Sequence, residues 1–287
     1  MANLKQDVGR DAWAKKGWWR SHRWLVLRRM TQLLVLALFL SGPLFGVWIL
    51  RGNYSSSLLL DTVPLSDPLM ILQSLASGHL PGALALVGAA VVVVSYALLG
   101  KRTFCGWVCP VNPLTDLAAW LRRRFGITRS ATLPRGLRYI LLALVLVGSA
   151  IFGGLVWEWL NPVSLMGRGL IFGFGAGLWL LVALFVFDLL VVEHGWCGHL
   201  CPLGAFYGLT GAKGALEVSA AGRDNCTRCM DCFHVCPEPH ILRAPVLDKE
   251  SPAQVADRDC MACGRCVDVC AEEVLTITTR WSSGAKS

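Results

Sequence analysis

Four apolar runs, at residues 31–50, 80–100, 139–157 and 169–192, dominate the first two-thirds of the chain. The first three carry no charged residue and the fourth carries only Asp188. Each approaches the roughly 20 residues that cross a bilayer as a helix. The pattern predicts an all-α membrane domain of four transmembrane helices over 31–192, preceded by a basic N-terminus, 1–30. Pro43 is expected to kink the first helix, which membrane helices tolerate where neighbours satisfy the freed carbonyl. The segment 51–79 reads as a polar connection with an amphipathic patch near Leu69–Leu75, and 158–168 as a short connection. Gly169, Gly173 and Gly177 recur every four residues and predict a small-residue face on the fourth helix for close packing.

After the fourth run the periodicity changes. Leu216–Ser219 and Val274–Thr279 are alternating or β-branched and read as the outer strands of a small α+β unit over 215–281. A short helix is expected after the last cysteine of each of two cysteine runs. The stretch Glu238–Asp259, rich in Pro and charge, reads as a surface loop between them, with His234 and His240 facing solvent or bonded locally.

Composition agrees with a small membrane protein bearing a soluble appendage: 54% of residues are hydrophobic, 16% charged, and the mean hydropathy is positive at +0.52. The net charge of +8 sits beside the apolar runs rather than in a basic, aromatic-interleaved stretch, so nucleic-acid binding is excluded. Eight Lys and Arg precede the first run, one lies in 51–79, eight in 101–138 and one in 158–168. By the positive-inside rule both termini and loop 101–138 are cytoplasmic, and 51–79 and 158–168 lie outside. The long polar leader and the missing A-x-A-like cleavage site favour a retained anchor over a cleaved signal peptide.

All twelve cysteines fall in short clusters. Cys226, Cys229, Cys232 and Cys236 form a C-x2-C-x2-C-x3-C run, repeated by Cys260, Cys263, Cys266 and Cys270. Three cysteines on one tight loop wrap three irons of a cubane while the fourth points to the neighbouring cluster. The expected sets are therefore crossed: Cys226, Cys229, Cys232 and Cys270 for one [4Fe–4S] cluster, Cys260, Cys263, Cys266 and Cys236 for the other. Zinc is the competing reading, but it usually takes pairs of C-x2-C, and a reducing cytoplasm disfavours disulfides. Two further motifs, Cys105-Gly-Trp-Val-Cys109-Pro110 and Cys197-Gly-His-Leu-Cys201-Pro202, end the second and fourth runs and form an internal repeat. If each is helical, its cysteines lie at i and i+4 on one side, so four thiols from two helix ends converge. A third metal or cluster, a redox-active dithiol pair and a structural role are all compatible with this spacing.

Oxidising a quinol releases two protons, so ionisable groups near membrane depth are candidate acceptors. Asp188, with Glu193 and His194 beyond it, offers a carboxylate–imidazole pair at the cytoplasmic end of the fourth run. Glu158, between Trp157 and Trp159, is the rival at the outer face.

Together with Gly17–Trp24, Asn161–Arg168, Glu193–His199 and Cys232–His240, these motifs make the chain resemble the NapH/MauN family of membrane ferredoxin-type proteins. Ala271 departs from the usual Pro after the last cysteine. The resemblance implies a multi-pass protein of the bacterial inner membrane. It implies an electron-transfer subunit of a quinol dehydrogenase that itself reduces no nitrate. Electrons would pass from the membrane quinol pool towards a periplasmic nitrate reductase, through a membrane-anchored multihaem cytochrome and a ferredoxin-type partner. An assembly factor that supplies electrons for installing a metal centre in a partner enzyme is the alternative.

Overall fold

A computed structural model describes residues 8–283; Lys5 of the basic leader lies outside the described residues. Helix α1 (Arg10–Phe45, 36 residues) is the one described helix long and apolar enough to cross a membrane by itself. It bends at Gly17, where φ 74 and ψ 168 leave the helical region, a conformation that costs a residue without Cβ little. Pro43 falls in the last turn, just before the left-handed closure at Gly46 (φ 72). The bend expected at Pro43 thus lies at Gly17, and Pro43 helps to end the helix.

The segment 51–79 is more ordered than a polar connection. It makes an antiparallel sheet of β1 (Leu50–Gly52), β2 (Ser56–Leu59) and β3 (Val63–Ser66), followed by α2 (Pro68–Ala76). Asp67 caps α2, its Oδ1 accepting from the Leu69 amide at 2.9 Å, with Pro68 at the first helical position. Gln73 of α2 is fully buried and accepts from the Trp157 amide at 2.8 Å.

Helix α3 (Ala83–Leu99) packs on β3 and covers the second apolar run. Two helices, α4 (Thr103–Trp107) and α5 (Val111–Arg124), occupy the basic loop, and α6 (Leu137–Phe152) covers the third run. The fourth run is broken. α7 (Pro162–Phe172) ends at Gly173 (φ 96), and α8 (Gly177–Val186) returns beside it and continues as a π-helical turn, Phe187–Val191. A Cβ on Gly169 would lie 2.3 Å from the Phe174 ring, and one on Gly177 would lie 2.9 Å from Leu165. The glycine row therefore packs two arms of one hairpin, rather than one face of a continuous helix. Leu33 and Leu34 of α1, Leu84 and Leu98 of α3, Ile140 and Leu144 of α6, and Trp179 and Val182 of α8 are all exposed.

α9 (Pro202–Thr210) leads into the ferredoxin-like unit. There β4 (Leu216–Ser219) lies between β5 (Gln254–Val255) and β6 (Thr276–Thr279), antiparallel to both, with Val218 opposite Val255 and Ile277. Both strands thus form nearly where alternation predicted them, but β4 is the central strand of three and not an outer one. The short helices α10 (Asp231–Val235) and α12 (Arg265–Val269) precede the fourth cysteine of each run instead of following it. The stretch 238–259 is not a surface loop: it holds α11 (Arg243–Leu247) and β5, and buries Ile241, Leu242, Val246 and Val255. Few as they are, these apolar positions decide its fate, since burying them contributes on the order of 1.5–3 kcal/mol apiece.

This unit is docked firmly. Asp268 of α12 accepts from the Trp24 and Leu25 amides of α1 at 3.2 and 2.9 Å, and Lys16 donates to the Val267 carbonyl at 3.0 Å. A Cβ on Gly264 would lie 2.4 Å from Trp24.

A candidate iron–sulfur centre

The two cysteine runs fold alike. Arg228 and Met230 in the first, and Ala262 and Gly264 in the second, all take positive φ (57, 68, 47 and 74). These left-handed steps turn each loop inward around its own sulfurs. One cavity is lined by Cys226, Cys229, Cys232 and Cys270, with Val246, Leu247, Val274 and Leu275 around them. A second is lined by Cys236, Cys260, Cys263 and Cys266, with Val218, Ile241 and Leu242. The fourth cysteine of each run thus reaches the other run's cavity, in the crossed pattern that the spacing predicts.

The residues present fit iron–sulfur clusters. Each cavity offers four soft sulfur donors in an apolar shell, and polar N–H groups already aim at the sulfurs. The Ala262 amide donates to Cys260 Sγ at 3.4 Å, the Val274 amide to Cys270 Sγ at 3.3 Å, and Arg265 to Cys263 Sγ at 3.1 Å.

The other four cysteines converge as well. Cys105, on α4, and Cys197, on the π-helical turn Trp196–Leu200, share a buried cluster with Met261 and border Cys263. Cys109 and Cys201 are buried in the adjoining core, with Phe104 and Trp196 packed against both groups. The motifs are not single helices. In each, the helical turn ends before the second cysteine and a new helix starts just after Pro110 or at Pro202, so Cys109 and Cys201 sit at breaks rather than one turn along a continuous helix. A Cβ on Gly106 would lie 3.1 Å from the Met261 carbonyl and 3.2 Å from Cys263 Cβ. Cys105 and Cys197 therefore abut the cavity of Cys236, Cys260, Cys263 and Cys266.

Buried charge holds this junction. Arg102 donates to the Cys197 carbonyl and, at 3.0 Å, to Glu238; Arg138 bonds Glu238 and the Gly198 carbonyl and pairs with Asp259. Arg28, Arg29 and Arg265 surround Asp116. Burial alone would raise the Asp116 carboxyl, yet the three guanidiniums hold it well below the usual carboxylate range. Sequence reading missed this role, treating the basic loop as a topology signal; the single Asp116 within it was the available hint.

The structure separates the proton-acceptor candidates. Asp188 is buried and accepts from the Trp196 amide at 2.9 Å, close enough for its charge to act on Cys197. Glu193 pairs loosely with Arg123 at 3.9 Å. His194 turns towards Asp116 and Arg265 rather than Asp188, and burial, reinforced by Arg265, pushes its imidazole down to about 3. Glu158 accepts from Arg168 at 2.9 Å and from the Ser164 hydroxyl at 3.1 Å.

Comparison with known proteins places this arrangement. Ferredoxin-type protein NapH of Escherichia coli K12 is 71% identical over the full length of both chains. The chain belongs to the NapH/MauN family of ferredoxin-type proteins. NapH of Haemophilus influenzae is 56% identical over 98% of each chain, and methylamine utilization ferredoxin-type protein MauN of Methylorubrum extorquens is 48% identical over 94% of each. A family model of a 4Fe-4S dicluster domain matches residues 220–271, which contain the eight ferredoxin cysteines. A second, a 4Fe-4S binding domain, matches 81–128 and 172–218, which contain Cys105, Cys109, Cys197 and Cys201. No solved structure matches the chain. It is an electron-transfer protein of ferredoxin type with 4Fe-4S domains.

Proposed function

We propose that the chain carries electrons from quinol in the bacterial inner membrane to a periplasmic nitrate reductase, by way of a membrane multihaem cytochrome and a ferredoxin-type partner. The observation that carries the reading is the convergence of three groups of four cysteines, two of them adjoining. Cys226, Cys229, Cys232 and Cys270 hold one [4Fe–4S] cluster, and Cys236, Cys260, Cys263 and Cys266 the other. Cys105, Cys109, Cys197 and Cys201 hold a third iron–sulfur centre between these and the membrane. Bound clusters supply one-electron redox steps at potentials set by burial and by N–H groups aimed at sulfur.

The chain's own residues do the placing. Arg102, Arg138 and Glu238 pin the four-cysteine junction to the ferredoxin unit, and the Ala262 and Val274 amides stabilise charge on sulfur. Four membrane passes, with both termini cytoplasmic, are supported by the exposed apolar faces of α1, α3, α6 and α8, the last prolonged by the turn Phe187–Val191. Helices α3 and α6 are only about 25 Å long and fit a pass completed by flanking residues. MauN relatives at 46–48% identity, named for methylamine utilization, support a conserved membrane module whose terminal acceptor is set by its partners.

Replacing Cys105 and Cys197 with serine tests the reading. Quinol-dependent nitrate reduction by membranes should be lost while dye-driven nitrate reduction persists, and iron in the purified chain should fall from about twelve to about eight per molecule. Unchanged quinol-linked activity would refute it. A nitrate reductase lacking its own metal centre in the variant strain would instead mark an assembly factor.

A further inference from the structure

One cavity of about 230 Å³ lies outside the cysteine clusters, reaching from the sheet of 50–66 to Phe104 and Val108, the residues that directly precede Cys105 and Cys109. Its walls include Tyr54, Asp67, Tyr96, Phe104, Ser164 and Tyr207, set among aliphatic side chains of α1, α3, α7 and α9. Cavities of roughly 150 Å³ already take a benzene ring, so this one has room for a ring-sized head group.

Its polar groups sit at one end and its route to the cysteines at the other. Tyr54 Oη is buried and has no hydrogen-bond partner among the described residues. Asp67 is buried and, among the described residues, makes no ion pair. Ser164 donates to Glu158 at 3.1 Å. Tyr207 stacks on Phe104 at 4.8 Å and meets Tyr96 edge-on at 5.2 Å, and Phe104 immediately precedes Cys105. Tyr207 therefore lines the cavity together with Asp67 and adjoins Phe104, the residue next to Cys105. The larger cleft beside His194, about 520 Å³, is instead walled by charged side chains of both signs, Arg28, Arg29, Arg123 and Arg265 with Asp116 and Asp268, and suits an apolar ring less well.

We infer that this cavity is the site where an isoprenoid quinol is oxidised, with Asp67 as the acceptor of one proton and Glu158, through Ser164, as the acceptor of the other. The inference rests on the electron-transfer reading above. One quinol O–H breaks as a new O–H forms on Asp67. The second breaks as its proton passes to the Ser164 hydroxyl, which hands its own to Glu158. The two electrons would leave one at a time, to the one-electron iron–sulfur centre that Cys105, Cys109, Cys197 and Cys201 would hold and onward to those of the ferredoxin-like unit, so that quinone would remain. Burial, reinforced by the charge of Glu158, pushes the Asp67 carboxyl up to about 6, near the working range of a general base at neutral pH. Both acceptors lie on the face that the topology puts outside.

The full chain in lipid nanodiscs provides the test, with a photoreactive decylubiquinone analogue as probe. Label should map to 54–67 or 92–104, and Val92→Trp, which fills the cavity, should weaken decylubiquinone binding at least about tenfold. Asp67→Asn keeps a good helix cap, so it should bind the probe within about threefold of the parent. It should nonetheless slow reduction of the protein's iron by decylubiquinol about a hundredfold, with dithionite reduction and the resulting paramagnetic signal unchanged. Iron present and dithionite-reducible, but label confined to the cleft beside His194, overturns the site and leaves the electron-transfer reading intact. An Asp67→Asn protein reduced at the parent rate overturns the role of Asp67. Label in the cavity of a chain that holds no iron overturns the electron-transfer reading instead.

Discussion

At the scale of single residues, the buried charges are the informative ones. Lys101, Arg102, Arg122 and Arg138 are all at most 1% exposed, although loop composition alone would leave them in water. Burial is tolerable because each finds acceptors: Glu238 bridges Arg102 and Arg138, and Arg122 donates to the Asp188 and Leu189 carbonyls at 3.3 and 2.7 Å. Removing one partner of such a group strands the rest. Glu238→Gln is therefore expected to destabilise the folded protein by about 3–5 kcal/mol, read as a fall in thermal midpoint of the detergent-solubilised chain. Asp67 behaves oppositely. Its folded carboxyl, raised from 3.8 to about 6 by burial, binds a proton more tightly than in the unfolded chain. Its contribution to stability is full below about pH 4 and is lost as pH rises through 6. Asp67→Asn should remove that loss, gaining on the order of 3 kcal/mol relative to the parent as pH rises from about 4 to about 7.5 in thermal unfolding.

At the scale of elements, periodicity located helices well and their ends less well. α1, α3 and α6 cover the first three apolar runs, because an uncharged run has few ways to satisfy its backbone other than as a helix. The fourth run shows the limit. An α-helix and a helical hairpin bury similar side chains, and only Gly173 at φ 96, with ring contacts at Gly169, selects the hairpin. In the cysteine motifs, Pro110 and Pro202 interrupt the helix, and that break is what lets Cys109 and Cys201 join the junction. The contact between α1 and α12 makes a further prediction. Gly264→Val puts a branched side chain where Trp24 sits and strains a left-handed residue, so it should undock the ferredoxin-like unit. Faster amide exchange across 260–269, with the exchange of 137–152 unchanged, would report it.

At the scale of the whole molecule, the two parts the sequence suggests are one packed body. The cysteine junction is shared: its thiols come from the membrane-side repeat, and its neighbour Cys263 comes from the ferredoxin-like unit. A reporter topology experiment tests the proposed orientation. Alkaline phosphatase fused after residue 79 should be active outside, and a fluorescent protein fused to the C-terminus should glow from the cytoplasm. The sequence by itself determined the cysteine motifs, the first three helical runs and the family, because cysteine spacing and hydrophobic period are local properties carried by a few residues each. Only the tertiary structure decided that 51–79 holds a sheet followed by a helix that Asp67 caps, that the basic loop is a buried clamp, and that one cavity is lined by both Asp67 and Phe104, the neighbour of Cys105. Those features depend on residues far apart in the chain, such as Asp67 with Tyr207 or Arg102 with Glu238, whose proximity no local pattern encodes.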